Sequence, residues 1–244
     1  MFLSIKKIIR LLCPPIVWSF LSRVKDRSLF TKYNGLNQLD RKIEKFLNYN
    51  NGYFVELGAN NGITQSNSLY FEKYKGWSGI LVEPIGHKFL ECIKNRSKKN
   101  SIFCNACVSF DYEGRFVEMA YSNLMTVSNN VESDLNNPTD HALRGKNNLY
   151  EGEVNYVFGS IAKPLNNILI EAKAPREIDL FSLDVEGAEI EVLKGVNHKE
   201  FRFKYICVES RDIKKLSKYM EENNYILEEK LTNHDYLFKN NNRL

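Results

Sequence analysis

No stretch of the 244 residues reaches the roughly 20 uninterrupted apolar positions that a membrane-spanning helix needs. Cysteine forms no framework either. The five thiols (Cys13, Cys92, Cys104, Cys107 and Cys207) follow no regular spacing, and the one C-x-x-C, Cys104 to Cys107, has no second pair to complete a zinc site. It sits in Ile102-Phe-Cys-Asn-Ala-Cys-Val108, which alternates as a strand does, so two buried thiols in a reducing compartment are expected. There is no G-x-G-x-x-G, the glycine signature that packs a dinucleotide's pyrophosphate on a helix N-terminus. No internal repeat appears, and no small-x-small cleavage site follows the first apolar runs, which fits a secretory signal poorly.

The body of the chain also lacks a positive charge excess. The net charge is +4, yet residues 1–39 hold seven basic side chains (Lys6, Lys7, Arg10, Arg23, Lys25, Arg27 and Lys32) against Asp26 alone, which leaves the remainder at −2. A broad nucleic-acid footprint is thereby excluded. An apolar content of 43% and a charged content of 26% describe an ordinary globular chain, long enough for one α/β domain with a full core. The basic charge belongs to residues 1–34, an amphipathic segment. There Phe2, Ile5, Ile9 and Leu12 share one helical face, Lys6, Lys7 and Arg10 gather on another, and Pro14-Pro15 breaks the helix. Residues 2–27 are expected either to lie on an anionic membrane surface from the cytoplasmic side or to pack on protein.

From residue 35 to 240 the pattern alternates strands with helices, which predicts a mostly parallel sheet covered on both faces. Strands are expected at 53–57, 77–83, 101–108, 178–183, 205–209, 225–229 and 235–238, with a possible extra one at 115–119. Helices are expected near 39–47, 65–74, 87–95, 165–171 and 213–222, with another after the turn at 184–189. Residues 121–156, rich in Asn and Ser, show no period and read as an irregular insertion, a possible lid over an acceptor.

Polar residues end these strands: Glu56, Glu83, Asn105, Asp184 and Glu209. In an open parallel sheet such ends share one crevice. Tyr53-Phe-Val-Glu-Leu-Gly-Ala-Asn-Asn-Gly-Ile63 carries E-x-G-x-x-x-G, a strand running into a glycine turn. Its acid would repel a pyrophosphate but suits a cofactor that ends in an amine. Glu83 follows Glu56 by 27 residues, about one strand–helix–strand unit, and is placed to hold a ribose diol. The physics thus favours S-adenosylmethionine over a nicotinamide dinucleotide, with an oxidoreductase or a non-catalytic scaffold as the alternatives.

These motifs, with Trp77-Ser-Gly-Ile-Leu-Val-Glu-Pro84, Asn105-Ala-Cys-Val-Ser109 and Phe181-Ser-Leu-Asp-Val-Glu-Gly-Ala-Glu-Ile-Glu-Val-Leu-Lys-Gly195, resemble the FkbM-type methyltransferases. The resemblance spans roughly residues 50–240. It implies a Rossmann-like class I fold with a seven-stranded sheet whose last strand is antiparallel, and transfer of a methyl group to a hydroxyl of a sugar or surface-glycan precursor. Glu56, Gly58, Asn60 and Gly62 would then shape the methionine end of the cofactor pocket, Glu83 the ribose, and Asn105 with Ala106 the adenine. Asp184 and Glu186 would face the reacting atoms, with Asp184 the first candidate for the base. Glu209, Arg211 and His141 are candidates for acceptor contacts. A metal is not expected, although Asp184, Glu186 and Glu209 together could offer oxygen ligands. Glu189 and Glu191 read as a solvated helix face, and His234 and Asp235 as structural.

Overall fold

The computed structural model describes residues 31–241 apart from 136, 138–139, 143–144, 146–148 and 150–153. The amphipathic segment expected over 1–34 therefore lies almost wholly outside the described residues. Among the described residues no helix is long and apolar enough to cross a membrane.

Eleven strands are described: β1 (Tyr53–Leu57), β2 (Ser78–Val82), β3 (Ser101–Phe103), β4 (Ala106–Val108), β5 (Phe116–Tyr121), β6 (Val127–Ser128), β7 (Tyr156–Pro164), β8 (Glu177–Leu183), β9 (Arg202–Glu209), β10 (Tyr225–Lys230) and β11 (Asp235–Asn240). Seven form the main sheet in the order β10-β11-β9-β8-β1-β2-β3. Pairing is parallel from β3 through β9, and β11 runs antiparallel to both neighbours. This is the expected Rossmann-like sheet, with the last strand of the chain reversed.

The core follows from alternation along buried strands. Val55, Leu57, Ile80, Val82, Phe181, Leu183, Ile206 and Val208 point to one face. There they pack against α4 (Leu165–Glu171), α5 (Glu189–Leu193) and α6 (Ile213–Glu222). Their neighbours Phe54, Leu81, Leu180, Tyr205 and Cys207 point to the other, against α1 (Leu39–Glu44), α2 (Leu69–Lys75) and α3 (Gly86–Asn95). The central strands β1, β2, β8 and β9 are sandwiched, which is why each reads as an apolar run ending at a polar residue.

Two expectations need correction. The single strand expected over 101–108 is two strands, because the chain leaves the main sheet at Cys104 and Asn105. β4 then pairs in parallel with β7 in a second, four-stranded sheet, β4-β7-β5-β6. The helix expected over 65–74 begins only at Leu69. Ser66, Asn67 and Ser68 instead turn back to bond with a carboxylate in β1. Cys104 and Cys107 are half-buried free thiols.

Candidate active site

Gly58, just past β1, takes φ +77°, and a Cβ there would stand 2.0 Å from the Asp184 carbonyl oxygen. Only glycine lets the E-x-G-x-x-x-G turn press against the D-V-E-G turn backbone to backbone. Gly58→Ala is expected to force these turns apart, with a lower thermal midpoint and weaker S-adenosylhomocysteine binding; an unchanged melting curve would contradict the close approach. Around this contact lie two adjoining clefts. One, of about 730 Å³, is bounded by the ends of β1, β2 and β8 and includes Asn60, Glu83, Asp184 and Glu186. The other, of about 410 Å³, is apolar and lined by Val82, Asn105, Ala106, Val117, Met119 and Val192 among others. The two share Leu57, Gly58, Pro84, Met119 and Val185, so together they form one elongated groove.

The groove suits a nucleoside joined to an amino acid. Glu83 is 3% exposed, and its two carboxylate oxygens accept the backbone N–H of Asn60 at 2.6 Å and of Ile85 at 2.9 Å. Each oxygen keeps lone pairs for a diol. Ala106, Val117 and Met119 offer a flat apolar slot beyond it. Among the described residues neither cleft is lined by a lysine or arginine, and Glu56, Glu83, Asp184 and Glu186 make the first acidic. Such a lining suits the amine and sulfonium of S-adenosylmethionine better than a pyrophosphate.

Burial pushes the Glu83 carboxyl up to about 7, against the two backbone donors and Lys88. The folded group holds its proton above the ordinary value of 4.5. Its contribution to apo stability is therefore whole at acid pH and is lost as pH rises through about 7. Glu189, pushed by burial to about 8, acts in the same direction. The apo protein is expected to melt at a lower temperature at pH 8 than at pH 5. Because an anion is the better acceptor for ribose hydroxyls, affinity for S-adenosylhomocysteine should rise about tenfold over the same interval. Calorimetry at the two pH values checks this; an affinity as pH-dependent in Glu83→Gln as in the native protein would refute the assignment.

Glu56 behaves differently from its sequence expectation. It lines the groove, but its carboxylate already accepts from Ser66 Oγ, the Asn67 and Ser68 backbone N–H groups, Ser68 Oγ and Arg96. Its occupation by these donors makes it the organiser of the 66–68 turn rather than an open acceptor for a cofactor amine. Gly62 is also not on the groove wall; it faces the Arg96 stem and Cys92 Sγ, where a Cβ would come within 2.7 and 2.9 Å. Asn60 does line the groove, at φ 47°. Asn105 and Ala106 lie on the apolar slot, with Asn105 Nδ2 donating to the Ile161 carbonyl at 3.2 Å.

At the groove's end stand three carboxylates, Asp184, Glu186 and Glu209, with oxygens within 4.8 Å of one another. Asp184 is exposed where the cavities meet. Desolvation within the cleft, with Glu209 and Glu186 beside it, holds its carboxyl above the usual carboxylate range, and in the protonated form it donates a hydrogen bond to Glu209. Glu186 is raised as well, by burial and Glu209, and partly restrained by Arg211 and His141. Arg211 lies 3.1 Å from Glu186 and 3.4 Å from Glu209, and His141 Nε2 is 2.9 Å from Glu186. The structure thus brings together Asp184, Glu186, Glu209, Arg211 and His141, all named from sequence.

The insertion is pinned to this cluster. Asp134 donates its N–H to the Gly187 carbonyl at 2.9 Å, and its carboxylate accepts the Arg211 N–H at 2.7 Å. Glu189 and Glu191 are corrections: they are 2% and 7% exposed. Glu189 accepts the backbone N–H groups of Val185 and Gly187, and Glu191 accepts from Ser109. They clamp the D-V-E-G turn and the end of β4 rather than facing water.

A family model described as "Methyltransferase FkbM domain" matches residues 56–237, about three quarters of the chain. A solved structure of M. capricolum TrmK in complex with S-adenosyl-homocysteine aligns over 85% of this chain and 67% of that one, at 12% identity and a TM-score of 0.38. No curated protein matches.

Proposed function

We propose that this chain, which belongs to the FkbM family of S-adenosylmethionine-dependent methyltransferases, methylates a hydroxyl oxygen of a sugar, alone or within a surface-glycan precursor. The observation that carries this reading is Asp184: a carboxylate with a raised proton affinity, at the end of the cofactor groove, with neighbouring acids and, among the described residues, no lysine or arginine on the cleft wall.

S-adenosylmethionine, when bound, supplies an electrophilic methyl group on a sulfonium. Glu83 would hold its ribose and the Ala106 slot its adenine, while Asn60 and Gly58 bound the rest. The remaining work falls to the chain itself. A sugar hydroxyl is a weak nucleophile at neutral pH, and Asp184 in its ionised form accepts that hydroxyl's proton as attack proceeds. Its raised proton affinity makes it a stronger base than an ordinary carboxylate. The negative charge of Glu209 beside Asp184 raises its proton affinity, and Arg211 offsets the charge that Glu209 and Glu186 accumulate. Holding the hydroxyl in line and excluding water supplies much of the acceleration.

Incubating the protein with methyl-labelled S-adenosylmethionine and a panel of neutral methyl glycosides, nucleotide sugars and lipid-linked saccharides tests this. The expected product is an O-methyl ether located by NMR. Label transferred to nitrogen or carbon, or no transfer from a protein that binds S-adenosylhomocysteine, would overturn the reading.

A further inference from the structure

Asp184 borders a second cavity on the side away from the nucleoside slot. This space, about 670 Å³, lies between the Leu36–Leu39 stretch and the β10–β11 turn at Thr232–His234. Gln65, Asn67 and Asp184 line both it and the cofactor groove, so the two cavities meet at the proposed base. We propose that this second cavity is the acceptor subsite, and that it takes a neutral, hydroxyl-rich ring. The inference rests on the Proposed function and adds where the acceptor enters and what charge it carries there.

Three features support it. First, the chemistry of the walls: Asp184, Glu209 and Asp235 present carboxylates, and Asn37, Gln65 and Asn233 present amides. Among the described residues no lysine or arginine lines the space. Such walls accept hydrogen bonds from hydroxyls and repel a phosphate or carboxylate. Second, Asn67 lines both cavities and is fixed there, its Nδ2 donating to Ser182 Oγ at 3.0 Å and its backbone N–H to the Glu56 carboxylate at 2.7 Å. Third, Asn37 and Gln65 adopt φ 52° and 59°, and no glycine relieves either. Strain of this kind gathers where a site needs fixed geometry, and here both residues line the same space.

The arrangement adds to the expected lid over the acceptor at 121–156. The insertion meets the acidic cluster through Asp134 and His141, whereas none of its residues lines this cavity, whose walls come from positions distant in sequence. A sugar carried on a diphosphate would place the ring inside and the diphosphate outside, away from Asp235 and Glu209.

The test uses the full chain, labelled S-adenosylmethionine, and matched methyl glycosides and methyl uronides at millimolar concentrations. Neutral glycosides are expected to be methylated with a kcat/KM at least tenfold above their uronides. Asn233→Trp and Leu36→Trp alter two exposed wall positions. Both should raise the glycoside KM at least tenfold, with S-adenosylhomocysteine Kd within about twofold of native. Native KM in both variants would overturn the subsite while leaving the Proposed function standing, and so would a preference for uronides. Absence of transfer to every glycoside, nucleotide sugar and lipid-linked saccharide by a protein that binds S-adenosylhomocysteine would sink the two together.

Discussion

Asp184→Asn is expected to slow methyl transfer by roughly two to four orders of magnitude, the range ascribed to a positioned general base. S-adenosylhomocysteine affinity should stay within about threefold of native. The substitution keeps the shape of the side chain and removes only its basicity. It also removes one of three carboxylates held within 4.8 Å of one another, so the fold should be no less stable, and relief of that repulsion should raise the melting temperature slightly. This combination separates a base from a structural acid, whose loss would lower stability and rate together. A second signature lies in pH. Desolvation within the cleft and the Glu209 and Glu186 charges raise the Asp184 proton affinity above the usual carboxylate range. Native activity should therefore fall on the acid side with a midpoint well above that of an ordinary aspartate, and the residual activity of the variant should lack that limb. A variant with native kcat would remove Asp184 from the mechanism.

The strand ends were legible because their physics is local. An apolar run that terminates in a polar residue marks a buried strand meeting a crevice, and Glu83, Asp184 and Glu209 all lie where that rule puts them. The glycines were half legible: φ +77° at Gly58 follows from its turn, but its contact with the Asp184 carbonyl joins positions 126 apart. Glu189 and Glu191 misled because i, i+2 spacing at a helix start looks solvated, when the free N–H groups of the preceding turn and of Ser109 were the real partners. The second sheet was hidden for a related reason. β7 carries exposed Val157 and Ile161 and lies partly beyond the irregular insertion, so its alternation gave no clean inward face. The second cavity needed the hairpin tip and the 36–39 stretch together, which only the assembled sheet provides.

Arg96 is the residue with the largest structural consequence that local pattern did not reveal, although one signal existed. Glu56 sits between Val55 and Leu57 inside a central strand, and a carboxylate buried there demands a cationic or hydrogen-bonding partner. Arg96, just past α3, supplies it. Its side chain is 0% exposed. It reaches Glu56 at 3.3 Å, Glu72 at 2.8 Å, Ser68 Oγ at 2.8 Å and the Gly62 carbonyl at 3.2 Å. Arg96→Leu should leave two nearly buried carboxylates without their counter-ion, at a cost of about 3–5 kcal/mol. For a chain of this size that corresponds to a melting point lower by roughly 6–20 °C. Lysine should rescue little, since one ammonium cannot span acceptors that a planar five-donor fork reaches at once. The triple variant Arg96→Leu, Glu56→Gln, Glu72→Gln should recover much of the loss, because it deletes the stranded charges as well; failure to recover would mean that packing of the arginine stem, rather than charge, dominates. The effect should also reach function. Arg96 and Glu56 hold the turn that presents Gln65 and Asn67 to both cavities, so Arg96→Leu assayed below its melting point should weaken S-adenosylhomocysteine binding without any contact to it, whereas a purely global destabilisation would leave that affinity unchanged.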